Sequence, residues 1–157
     1  MFGWGKERGR RQHLKELRSQ VDAIQTRMVV MVRRELVKDY GTLAGSQLAQ
    51  ATVDRLFARP AGLSGESVEL VKNLSHELAR ENKFVRDAAF VTLVAMLELE
   101  GAANDFKAER RIIETLDWLR QYGEPPTGLT LEEVNRRLMM EENLPQIVIH
   151  KREEKDK

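Results

Sequence analysis

Between Leu14 and Met31 the apolar residues Leu14, Leu17, Val21, Ile24, Met28 and Met31 recur at alternating spacings of three and four. An α-helix turns once every 3.6 residues, so these side chains share one narrow face and read as a coiled-coil-like seam. From Met28 to Val32 the run Met-Val-Val-Met-Val widens that stripe until it covers most of the helix circumference. The pattern predicts a long first helix over residues 12–39 that needs more than one partner surface. Its own chain, a second copy or another protein can each supply that surface. Tyr40 and Gly41 end the helix, because glycine accepts the left-handed conformation a helix C-terminus often adopts.

The second predicted helix, over residues 42–58, carries Leu43, Leu48, Ala51, Leu56 and Phe57 and is rich in small residues that permit close approach. Arg59-Pro60-Ala61-Gly62 breaks it. Ser64 is the expected cap of a third helix reaching Arg80, with Val68, Val71, Leu74 and Leu78 on one face. After the polar Glu81-Asn82-Lys83, a fourth helix over residues 84–100 is apolar nearly all round except at Thr92, which predicts a central, buried element. The fifth, from Phe106 to Tyr122, is expected to bury Phe106, Ile112, Ile113, Leu116 and Leu119.

The sequence from Gly123 to Gly128 is a loop. Thr130 with Glu133 then forms a capping box, and Leu129 with Val134 a hydrophobic staple, so a sixth helix starts at Leu131. It is expected to bury Leu131, Val134, Leu138 and Met139, with Met140 off the stripe, and Glu132–Arg136 and Glu133–Arg137 are spaced as ion pairs. Pro145 blocks continuation, and Gln146-Ile147-Val148-Ile149 reads as a short extended segment without a sheet to join. The expected fold is all-α: a single-domain bundle of about six helices over residues 12–143, preceded by a mobile arm at 1–11 and followed by an extended segment and charged tail at 144–157.

Composition narrows the function classes. The 157 residues suit one domain. No cysteine is present, which removes disulfides, thiolate metal sites and thiol nucleophiles together and suits a reducing compartment. The basic opening has no apolar signal core behind it, and the most apolar run, Ala88–Leu97, is about half the length of a bilayer span. A soluble, cytoplasmic protein is the resulting expectation. Charge is balanced overall, 26 basic against 25 acidic, but residues 1–80 carry 14 and 9, and the remainder 12 and 16. This modest polarity leaves room for one local basic patch rather than a generally basic nucleic-acid coat.

Enzyme chemistry finds little support. A di-iron bundle needs Glu-x-x-His, but His76, His13 and His150 are preceded at that offset by Asn73, Arg10 and Ile147. No zinc signature, glycine-rich phosphate loop or nucleophile elbow occurs. All three histidines are read as ordinary, His76 on a helix surface, and Glu98, Glu100, Asp105, Glu109 and Glu114 as solvated. No enzyme activity, metal, cofactor or small-molecule ligand is expected. Gly128–Val134 resembles the opening of a DNA-binding helix-turn-helix unit over seven residues, but Pro145 and an apolar run stand where a recognition helix would follow.

Two terminal segments carry the binding expectations. Phe2 and Trp4 interleave with glycines ahead of Lys6, Arg8, Arg10, Arg11, Lys15 and Arg18, a mixture that suits an anionic membrane surface or a nucleic acid. Ile147, Val148 and Ile149 can add a strand to a partner's sheet or cover an apolar groove. The leading expectation is a non-catalytic interaction or assembly protein, an adaptor or scaffold that self-associates through the Leu14–Met31 seam or binds a protein partner. A nucleic-acid-associated protein and a peripheral membrane adaptor, both using the basic arm, are the alternatives.

Overall fold

The helical periodicities are realised in order in the computed structural model, which describes residues 2–63 and 65–143. The elements are α1 (Phe2–Tyr40), α2 (Thr42–Leu56), α3 (Glu66–Glu81), α4 (Lys83–Ala102), α5 (Phe106–Leu119), a 3-10 turn (Arg120–Tyr122) and α6 (Leu131–Asn143). No strand occurs among the described residues.

One glycine joins α1 to α2. Gly41 has φ of 83°, its N–H donates to the Val37 carbonyl at 2.9 Å, and its own carbonyl accepts from Gly45 N–H at 2.9 Å. The helices fold back as an antiparallel hairpin, and at the corner Gly45 sits against the Val37 backbone, where a Cβ would lie 2.7 Å from Cα. The small residues of the second helix therefore do permit close approach.

Local chemistry closes the other joints. Asn82 ends α3 by donating its N–H to the Leu78 carbonyl and opens α4 by accepting from Val85 N–H on its side chain. The ends of α2 and α4 are Schellman turns. Arg59 N–H reaches the Asp54 carbonyl and Ala58 N–H the Arg55 carbonyl; Asp105 and Asn104 repeat the pattern on Glu100 and Gly101. Asp105 then caps α5 through Ala108 N–H. The sixth helix begins at Leu131 as its capping residues predict, with Glu133 N–H donating to Thr130 Oγ1 at 3.2 Å. The start of α3 differs: Gly65 occupies its N-cap position, and Ser64 lies outside the described residues.

The core gathers around α4, which packs on α1, α3, α5 and α6. Val85, Ala88, Ala89 and Leu93 are fully buried, and Thr92 is buried too, its hydroxyl satisfied by the Ala88 carbonyl of its own helix. Val94 remains 59% exposed, so the helix is central without being enclosed on every side. The protein is an all-α, single-domain bundle.

Three burial expectations fail, two of them for one geometric reason. Phe106 is 73% exposed, Ile113 49% and Met139 47%. Successive helical residues point about 100° apart, so docking α5 through Ile112, Leu116 and Leu119 turns Ile113 to the flank, and docking α6 through Val134 and Leu138 does the same to Met139. Phe106 follows the cap directly and overhangs the packed stripe. Arg137 lies over the Phe84 ring at 4.7 Å rather than pairing with Glu133.

Candidate functional site

The seam is filled by the chain itself. Ile24 and Met28 are fully buried, Leu17 and Val21 nearly so, and Leu14 and Met31 pack partly buried on the same core as residues of α2, α4 and α6. The six residues expected to carry self-association, Leu14, Leu17, Val21, Ile24, Met28 and Met31, thus pack wholly or partly within the chain's own core.

What α1 leaves outside the bundle is its beginning. The helix is 39 residues long, about 58 Å at 1.5 Å per residue, and α2 behind it has 15. Residues 5–13 are exposed throughout, and among the described side chains the first that is buried is Leu17. The segment expected to be a mobile arm is thus helical from Phe2, and for Phe2 and Trp4 it is the backbone alone that is described. The seam's alternating spacing continues back through Arg10 and Glu7, and neither can extend an apolar core. On another face Arg8, Arg11, Lys15 and Arg18 follow at spacings of three, four and three, forming an exposed basic row about 15 Å long. Glu7 approaches Arg11 at only 4.0 Å. His13 is exposed, and its Nε2 meets Glu98 Oε1 of α4 at 2.7 Å.

A second constellation escaped the sequence. His76 of α3 is half-buried against Trp118 of α5 and Tyr122 of the 3-10 turn. The Trp118 indole N–H donates to His76 Nδ1 at 2.8 Å, and Tyr122 Oη lies 2.6 Å from the same nitrogen. A nitrogen that accepts from an indole carries no proton, so the imidazole is neutral with its hydrogen on Nε2. Burial lowers the His76 pKa from its usual value, and the positive charges of Arg55 and Lys72 lower it further. Arg55 sits with its guanidinium carbon 5.5 Å from the Trp118 ring centre and donates from Nε to Ser75 Oγ at 3.1 Å. The cluster ties α2, α3 and α5 together. Trp118 and Tyr122, four apart on a helical pattern, were the visible half of the signal; the meeting with His76 comes from tertiary packing.

No group of three or more acidic or histidine side chains among the described residues is placed to hold a metal ion. Nor is any described helix long and apolar enough to cross a membrane. Ile147, Val148 and Ile149, with His150, lie outside the described residues. Compared with known proteins, the chain matches no family model, no curated protein and no solved structure.

Proposed function

We propose that the protein is a non-catalytic interaction protein, an adaptor that docks on an acidic protein surface through the projecting amino-terminal turns of α1. The observation that carries this reading is the exposure of residues 5–12 as continuous helix ahead of the bundle. Helices shorter than about 12–15 residues are marginal on their own, and each interior glycine costs about 1 kcal/mol relative to alanine. Gly5 and Gly9 both fall in this stretch. A partner face that packs on it supplies the stabilisation that the chain's own core does not, and the row Arg8, Arg11, Lys15 and Arg18 supplies charge complementarity.

The same row favours a second reading, in which phosphates of a nucleic acid are neutralised. An anionic membrane is the third surface of that chemistry. The test compares the full chain with one lacking residues 1–11, offered an acidic protein partner, a nucleic acid and anionic vesicles across a salt series. The proposal expects recovery of the protein partner by the full chain and its loss on deletion, with the melting temperature little changed. Equal recovery by both chains contradicts it, and salt-sensitive retention of nucleic acid or vesicles alone moves the assignment to that surface.

A further inference from the structure

A pocket of about 330 Å³ opens where the end of α2, the segment after it, the start of α3 and the middle of α5 converge. Three arginines line it, Arg55, Arg59 and Arg111, against one carboxylate, Glu114. They are not equivalent. Arg59 stands 3.5 Å from Asp22 on α1, so its charge is partly answered. No carboxylate among the described residues is within ion-pair distance of Arg55 or Arg111.

Each of these two is held by its inner nitrogen. Arg55 donates from Nε to Ser75 Oγ at 3.1 Å, and Arg111 donates from Nε to the Ala58 carbonyl at 3.3 Å. No hydrogen bond among the described residues uses the terminal Nη atoms of either side chain. The pocket is also lined by the apolar Pro60, Leu63, Val68 and Val71, of which Val71 is buried.

We infer that this pocket binds a phosphate monoester carried on a small apolar body. Two guanidinium groups without counter-charges match a dianion, and the three terminal oxygens of a phosphate monoester can serve two forks where the two oxygens of a carboxylate fill one. The volume sits at the lower end of the range for small-ligand sites, which sets the apolar part at the size of a single ring or short chain. This site is separate from the projecting end of α1, and either can fail without the other.

Phenyl phosphate is a suitable probe, titrated into the full chain and followed by calorimetry and by amide chemical shifts. Inorganic phosphate and phenol test the two halves of the ligand, and benzoate the alternative anion. The expected result is saturable one-to-one binding of phenyl phosphate, tighter than any of the other three, with shifts at Arg55, Arg111 and Val71. Arg111→Gln should weaken it by about tenfold or more, the weight of one charge-assisted pair, and Arg111→Lys should not restore it because the fork is lost. Arg111 is exposed, so its variants keep the fold, and Arg110→Gln on the same helix serves as the control that leaves binding unchanged. Absence of saturation, equal binding of phenyl phosphate and inorganic phosphate, tighter binding of benzoate, or unaltered affinity in Arg111→Gln would each overturn the assignment.

Discussion

Gly45 of α2 lies so close to Val37 of α1 that a methyl group placed on it would stand 2.7 Å from the Val37 Cα and 2.8 Å from its nitrogen. Backbone cannot yield as a flexible side chain can. Gly45→Ala must therefore push the two helices apart at their corner, at a cost of roughly 1–3 kcal/mol. Urea denaturation would read this as a lower midpoint, and an unchanged midpoint would mean that the hairpin is looser than described.

Ala58 makes the opposite prediction. It holds φ of 58° in the Schellman turn that ends α2, a conformation that suits glycine and costs other residues about 1–2 kcal/mol. Glycine also gains freedom in the unfolded chain, which returns about 0.4–1 kcal/mol of that. Ala58→Gly should raise stability by roughly 0.5–1 kcal/mol, visible as a higher melting temperature. A destabilised variant would contradict the left-handed assignment.

Ile24 separates the two readings of the seam. It is fully buried in the chain's own core, so Ile24→Ala should cost about 2–5 kcal/mol of stability and leave the mass of the remaining folded protein unchanged. If the seam joined two copies instead, light scattering would show a dimer that the substitution splits into folded monomers.

His76 gives the bundle a pH dependence with a definite sign. Its pKa is lowered from 6.5 in the folded chain, so below that value the unfolded chain takes up a proton that the folded chain resists. The stability this group contributes is present in full above about pH 6.5 and declines as the pH falls toward the lowered folded value. His76→Gln keeps an acceptor for Trp118 but does not titrate. Melting temperatures measured from pH 8 to pH 5 should fall less in the variant than in the parent, and parallel curves would refute the assignment.

The order of helices and the start of α6 were legible because local chemistry decides them. Thr130 and Glu133 mark a beginning, and Gly41 marks an end, whatever packs around them. Which flank of a helix meets the core is decided by its neighbours, and that is why Ile113 and Met139 were misplaced while Ile112 and Leu138 were not. The seam was read correctly as a buried stripe, but periodicity carries no information about whose side chains fill it. The candidate site divides in the same way. The basic row of α1 is written in consecutive turns of one helix, whereas the His76 cluster and the arginine pocket each draw on helices separated by more than forty residues. Such sites leave no spacing to read.

Site-specific photo-crosslinking in the native cell asks whether the exposed beginning of α1 is a docking element. A photoreactive residue in place of Gln12 would be compared with one in place of the exposed Glu132 on α6. A docking element gives a discrete adduct from position 12 to an acidic protein and none from position 132. No adduct from position 12, or the same products from both positions, would contradict it.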